Sequence, residues 1–452
     1  MFDLKAIRAL FPITRQKFPV YGSSEPVPVI YFDHGASTHP PQPVLDAYMQ
    51  FLEHSYSNVH RGQHYLSQIS TTLFEEVSEE VMSFIGAETK GNCVVLASNT
   101  THALDIASHI MAHRDGATLV SNMEHHSNDL PHRRRGEVFR ADVTPEGALD
   151  YDDVERNLRE HKIRLLAITG ASNVTGFLPD LPRLARMAHA HGAKILVDAA
   201  QLLAHKAIDV RPNNDPAHID FLAAAGHKAY APFGSSFLFG PRDLMDEAPP
   251  YIPAGGTVLF VGDTTAHYDV SPDRHQGGTP NVAGAIALSA ALRFLKSVGM
   301  DAIREHEREL TEFAMDAIAR IGGVQILGHP DPALRLGVLA MTIDGVPHEL
   351  ASMILNREAA IATRNGCFCA HPYLYRLLHL SQDQIDAFRA RVIAGDHRDT
   401  PGAVRATFGI FNSEAEVRRL LDMLGIIRDR RWKADYANYD NSAACRELVP
   451  AH

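Results

Sequence analysis

Lys228 lies in the run Ala225-Gly226-His227-Lys228-Ala229-Tyr230-Ala231-Pro232-Phe233-Gly234, after a strand-like stretch (residues 219–224) and before a Pro/Gly loop. A lysine at the end of a buried strand is costly to leave charged, so its pKa falls and its amine becomes nucleophilic. Such an amine can form a Schiff base. The competing reading is a side chain that snorkels to the surface. Asp198 ends another strand, in Val197-Asp198-Ala199-Ala200-Gln201. Ligands of open α/β sheets bind at the carboxyl ends of strands. There Asp198 can pair with a protonated pyridine nitrogen, and Gln201 can donate to a ring oxygen. Otherwise Asp198 only caps the next helix. Ser98-Asn99-Thr100-Thr101-His102 follows a third strand and opens a helix. Free N–H groups and hydroxyls there make a phosphate site or an ordinary cap. His125, in Glu124-His125-His126-Ser127-Asn128, can stack on a ring and shuttle protons, or be one structural histidine among 26. Asn173, in Ser172-Asn173-Val174-Thr175-Gly176, can hold a ring hydroxyl or a substrate group, or form a turn. Lysine, aspartate and phosphate site together suit pyridoxal phosphate (PLP).

The run Arg364-Asn365-Gly366-Cys367-Phe368-Cys369-Ala370-His371-Pro372 carries a second chemistry. Arg364 can clamp a carboxylate bidentately. Cys369, on a mobile loop near cationic groups, can be a thiolate nucleophile. Buried, inert cysteine is the bland alternative. Cys367, Cys369 and His371 are also soft metal ligands, but the run needs a fourth ligand and no second cluster supplies one. No metal is expected.

These residues need a large scaffold. The chain has 452 residues, enough for two lobes, with 45% hydrophobic and 21% charged residues, as in a globular protein. Lys+Arg 43 against Asp+Glu 54 gives a net charge of −11. Arg133-Arg134-Arg135 is short and stands alone, so nucleic-acid binding is disfavoured. No apolar run reaches bilayer length, and Met1-Phe2-Asp3-Leu4-Lys5 does not read as a signal peptide. Four cysteines (Cys93, Cys367, Cys369 and Cys445) are too few for a disulfide scaffold, and a cytoplasmic setting is expected.

Apolar runs at residues 93–97, 117–121, 164–169, 194–198 and 236–239 read as strands, with Phe221 and Leu222 ending another. Helical periodicity marks residues 101–113, 181–191, 282–298, 301–321 and 414–424, and residues 337–343 form a further strand. The alternation predicts an α/β core on a mostly parallel sheet. Residues 26–295 are expected to form the large domain. Residues 1–25 and 296–452 form the small one, with a tail or partner-binding arm from about 430.

In order, Tyr31-Phe32-Asp33-His34-Gly35-Ala36-Ser37, Asn58-Val59-His60-Arg61-Gly62, Glu124-His125-His126, Ser172-Asn173, Asp198 to Gln201, Gly226-His227-Lys228, Gly278-Thr279-Pro280-Asn281 and the Arg364 to Pro372 loop resemble the class V aminotransferase family of fold-type I PLP enzymes. The chain looks most like the group II, Suf-type cysteine desulfurases and selenocysteine lyases, from about residue 31 to 424. The resemblance implies a fold-type I transferase, with a mostly parallel seven-stranded sheet in the large domain and a smaller α/β C-terminal domain. It implies PLP on Lys228, Asp198 against the pyridinium, and Gln201 and Asn173 at the ring oxygen or substrate. His125 stacks on the ring. Thr100, Thr101 and His227 hold the phosphate, with Thr279 reaching in from the other subunit of a homodimer. Arg364 matches the arginine that binds the substrate carboxylate, and Arg405, in Val404-Arg405-Ala406-Thr407, looks like a second substrate arginine. His60 is matched to the substrate side. Cys369 falls on the catalytic, persulfide-forming position.

Some residues depart from that pattern. Ala225 stands where Ser or Thr often precedes Gly-His-Lys, and Asn99 where glycine is common. The Suf-type loop reads Arg-x-Gly-His-His-Cys; here Cys367-Phe368 replaces the two histidines. The Gly-Cys-Phe-Cys wording is similar to the loop of molybdenum-cofactor sulfurases, which carry an added C-terminal domain. The stretch from Pro372 to Arg405 is longer than in the Suf-type enzymes. The expected reaction removes sulfur from L-cysteine or a related amino acid, leaving alanine and a Cys369 persulfide for a partner protein or thiol. Cys367 then receives that sulfur or forms a disulfide with Cys369. The alternatives are a lyase, epimerase or aminotransferase of the same family acting without a persulfide, or a sulfur-relay scaffold without turnover of free cysteine.

Overall fold

The computed structural model describes residues 2–396 and 400–436. Its main sheet has seven strands in the spatial order Asn92–Ala97, Ser236–Pro241, Phe221–Ala225, Lys194–Asp198, Ile163–Thr169, Ala117–Ser121 and Val138–Ala141. Only Ser236–Pro241 runs against the others. Alternate residues of one strand enter two different cores. Val94, Leu166, Ile168, Ile195 and Val197 join one, while Val95, Leu165, Ala167 and Leu196 join the other. Both faces are therefore covered, which is why these strands are continuously apolar.

Two expectations change in detail. Phe221 and Leu222 begin their strand rather than end it; it continues through Ala223 to Ala225. Alanine has weak strand preference, but all five residues are buried and packing overrides propensity. Arg364-Asn365-Gly366, read as loop, is an edge strand paired with Ala403–Thr407, with Arg364 directly opposite Arg405. The Asn-Gly signal marks where this strand ends: Gly366 has φ +108.

A smaller antiparallel sheet runs Val324–Ile326, Val338–Ile343, Ala403–Thr407 and Arg364–Gly366. The helices Met300–Ile321, His348–Ala359 and Glu414–Arg428 join it around a third core containing Leu310, Met341, Ile354 and Leu420. The helix Val282–Val298 crosses the expected boundary at residue 295 and is buried along the first core. We propose the junction at Gly299, whose φ of +93 turns the chain into the next helix. The strand Ile30–Tyr31 pairs in parallel with Ile361–Ala362, which delivers the Asp33–Ser37 run between the two sheets. Trp432 and Tyr436 pack on the third core, and the Lys433 and Ala434 N–H groups donate to Glu358 Oε1 at 2.6 and 3.1 Å. The start of the expected tail is thus tied down; residues 437–452, with Cys445, lie outside the described residues. No single helix among the described residues is long and apolar enough to cross a membrane.

Candidate active site

The strand ends converge on one cavity of about 370 Å³. Lys228 lines it from a short 3-10 turn, Gly226–Lys228, just past its strand. The turn is braced from the N-terminal run: Thr38 N–H donates to the His227 carbonyl at 2.8 Å, and Tyr230 N–H donates to Thr38 Oγ1 at 2.7 Å. Gly226 is required here because a Cβ would lie 2.2 Å from Ser235 Oγ. Protein surrounds the Lys228 amine even though it faces the cavity. Burial first, then the Arg405 charge, lowers its pKa to about 8. Asp198, 5% exposed, accepts the Ala200 N–H at 3.0 Å; burial raises its pKa against the pull of Lys228.

His125 lines the same cavity, and burial, then Lys228, lowers it to about 4, so the ring is neutral. Burial likewise lowers His227 to about 4. Thr100 and Thr101 open the helix Thr100–Met111, with Asn99 as its N-cap accepting the His102 N–H at 2.9 Å. The cap that replaces the commoner glycine is therefore functional in the helix itself. Several buried atoms in the cavity wall have no hydrogen-bond partner among the described residues: Thr100 Oγ1, both amide atoms of Gln201, and His227 Nδ1. Buried polar atoms are nearly always satisfied, so these await a polar ligand.

The second lobe supplies the cations and the thiols. Arg405 is 3% exposed, donates from Nη1 to the Asn173 carbonyl at 2.7 Å, and lies 4.8 Å from the Phe368 ring centre. Burial lowers its pKa to about 10. Arg364 is half exposed and pairs with Asp33 at 2.8 Å; Arg405 reaches the other Asp33 oxygen at 3.6 Å. Like charges directly opposite on paired strands repel, and Asp33 offsets that here. Gly35 keeps this space open, since a Cβ would lie 3.0 Å from Arg405 Cζ.

Cys369 is exposed at the cavity edge. The loop read as mobile is held at three main-chain points: Asn173 Nδ2 donates to the Phe368 carbonyl at 2.7 Å, His126 N–H to the Cys369 carbonyl at 2.8 Å, and Ala370 N–H to the Cys367 carbonyl at 3.1 Å. Phe368 and Cys369 both have φ +54. Left-handed backbone at two consecutive non-glycine residues costs roughly 1–3 kcal/mol each and is kept where surroundings impose it.

Lys228, Asp198, Gln201, His125, His227, Thr100, Thr101, Asn173, Arg364, Arg405 and Cys369 thus share one cavity. Two expected residues do not. Thr279 is exposed and lines a separate cavity with Ser98 and His102. His60 is exposed, its N–H on Thr71 Oγ1 at 2.9 Å and its ring edge against Phe74. Two charged residues went unassigned in sequence. Asp33 holds both arginines. Glu124, buried, accepts from Ser121 Oγ at 2.5 Å and Asn128 Nδ2 at 2.7 Å, and burial raises it to about 8. Asp33 stands in a matched run, but its partner Arg364 is 331 positions away.

The sequence profile described as aminotransferase class-V matches residues 30–420. A probable cysteine desulfurase of Vibrio cholerae is 33% identical over 430 residues, 93% of this chain and 97% of its own. A cysteine desulfurase of Dickeya dadantii is 35% identical over 418 residues, 88% of this chain and 97% of its own. Among solved structures, an apo cysteine desulfurase from Thermococcus onnurineus superposes with a TM-score of 0.82 at 28% identity, covering 94% of this chain and 98% of the other.

Proposed function

This chain belongs to the class V aminotransferase family, and from that premise we propose that it is a PLP-dependent cysteine desulfurase that carries sulfur on Cys369. Enzymes of this family are PLP-dependent. The partnerless atoms of Thr100, Gln201 and His227, with Lys228 and Asp198 on the same wall, fit that cofactor. Bound PLP supplies an electron sink for the carbanion left when a Cα proton departs. Thr100, Thr101, His227 and the helix N-terminus would hold its phosphate. Asp198 would face its pyridine nitrogen, Gln201 its ring oxygen and His125 its face.

The remaining steps belong to the chain itself. Arg405, buried and with Nε unpartnered, binds the substrate carboxylate, with Arg364 at the rim. The Lys228 amine, with its pKa near 8, is neutral often enough near neutral pH to move the Cα proton. Cys369 then attacks the substrate sulfur; an S–S bond forms, the carbon–sulfur bond breaks, and alanine leaves. Exposure of Cys369 gives an acceptor protein or thiol access to the persulfide. Free, unpaired Cys93, Cys367 and Cys369 suit a reducing cytoplasm. A homodimer accounts for Thr279, which would serve the phosphate of the other subunit.

The observation that carries this reading is Cys369 in the same cavity as Lys228, Asp198 and Arg405. Its test is alanine and sulfide release from L-cysteine, with reductant, for wild type beside Cys369→Ala. Stoichiometric release that vanishes in the variant, while PLP is retained, is expected. Pyruvate, a keto acid or an inverted amino acid from both proteins would make the enzyme a lyase, aminotransferase or epimerase.

A further inference from the structure

We propose that Cys367 is a second sulfur carrier, which takes the terminal sulfur from Cys369 with His371 as its base and His126 behind it. The proposal rests on the desulfurase reading. Cys367 is half buried, and its Sγ lies 2.9 Å from His371 Nε2. His371 Nδ1 lies 3.0 Å from His126 Nε2, with the two rings nearly parallel at 9°. The direction of this chain can be read from the backbone. The His371 main-chain N–H also points at His126 Nε2, at 3.3 Å. A backbone N–H only donates, so His126 Nε2 is an acceptor. The hydrogen between the rings therefore sits on His371 Nδ1. Neutral His371 then carries its lone pair on Nε2, facing the Cys367 thiol.

The charges around the relay keep it neutral. Burial lowers the pKa of both histidines, and His371 lowers His126 further. Asp129 raises and Arg133 lowers His126, but Asp129 is already bound to Arg133 and Arg140. The Tyr375 ring lies 5.7 Å from His371. Burial raises the Cys367 thiol while the Cys369 N–H lowers it, so a base at hand matters. Cys367 and Cys369 occupy the first and third positions of one tight turn, closed by Ala370 N–H on the Cys367 carbonyl.

The transfer balances without an oxidant. The Cys367 proton passes to His371 Nε2, and the thiolate attacks the outer sulfur of Cys369–S–SH. The new Cys367 S–S bond forms as the Cys369 S–S bond breaks, and its electron pair returns to Cys369 as thiolate, which recovers the proton. Cys369 is then free for another substrate.

The test is a burst assay on the PLP-loaded enzyme with excess L-cysteine and no reductant, quenched by alkylation, with tandem mass spectrometry of the loop peptide. About two alanines per subunit are expected in wild type and about one in Cys367→Ser, with wild-type persulfide on both cysteines. In the free holoenzyme, His371→Gln should slow iodoacetamide alkylation of Cys367 by about tenfold near neutral pH, because the thiolate is the nucleophile. All sulfur on Cys369, or a Cys367–Cys369 disulfide with free sulfide, overturns the proposal and leaves the desulfurase reading standing. An unchanged alkylation rate removes His371 as the base. No alanine from any form overturns the desulfurase reading, and this proposal falls with it.

Discussion

At the scale of residues, the site works by withholding water from charge. Lys228 and Arg405 are both pushed towards their neutral forms by burial first, and the Arg405 charge lowers Lys228 further while the Arg364 charge lowers Arg405. Asp33 and Asp198 oppose this for Lys228 only in part. The consequence has a definite sign. An amine with a lowered pKa is mostly neutral above that value, and only the neutral amine attacks an aldehyde. In the apo protein, the rate of covalent PLP uptake should climb with pH up to about 8 and then level off. An ordinary lysine would keep climbing to about 10.4. Borohydride reduction at each time point, followed by peptide mapping, measures the pyridoxyl label at Lys228. Continued rise beyond pH 10 would mean that the lysine is not desolvated, and Lys228→Ala should carry no label.

At the scale of elements, the short turns matter more than the strands that carry them. Gly226 begins the Lys228 turn, and an added Cβ would meet Ser235 Oγ at 2.2 Å and Ala231 Cβ at 3.1 Å. Gly226→Ala should therefore lower stability by about 1–3 kcal/mol, the usual cost of overpacking. Differential scanning calorimetry of the apo protein reads this directly; a Tm equal to wild type would show that the turn relaxes freely. The strands were legible because burial on both faces leaves continuous apolar runs, and residues 194–198 and 282–298 match their observed elements. What was not legible depends on contacts distant in sequence. The Arg364–Gly366 strand exists through pairing with Ala403–Thr407, not through its own propensity. The anchoring of the cysteine loop comes from Asn173 and His126, far earlier in the chain. The Asp33–Arg364 pair and the His126–His371 contact were invisible for the same reason.

At the scale of the whole molecule, one protomer leaves apolar surface that a second copy can cover. The hairpin of Val258–Val261 and Ala266–Tyr268 exposes Leu259, Phe260 and Val261 at 68%, 61% and 62%. Consecutive bare apolar side chains on a two-stranded hairpin mark an interaction surface. This hairpin is tied to the loop of Thr279, because Gly278 N–H donates to the Gly255 carbonyl at 2.9 Å. Thr279 itself lines a separate cavity and not that of its own Lys228. A partner that buries the hairpin would therefore carry Thr279 towards a second phosphate site, so assembly and cofactor retention should fail together. Sedimentation of the wild type at micromolar concentration should give twice the chain mass. Phe260→Asp should shift it towards the monomer, since burying an unpaired charge costs several kcal/mol. The same variant should lose PLP faster on dialysis, and Thr279→Ala should lose it faster while remaining dimeric. A wild-type monomer would remove the partner's Thr279 from the phosphate site, and a Phe260→Asp dimer would move the interface away from the hairpin.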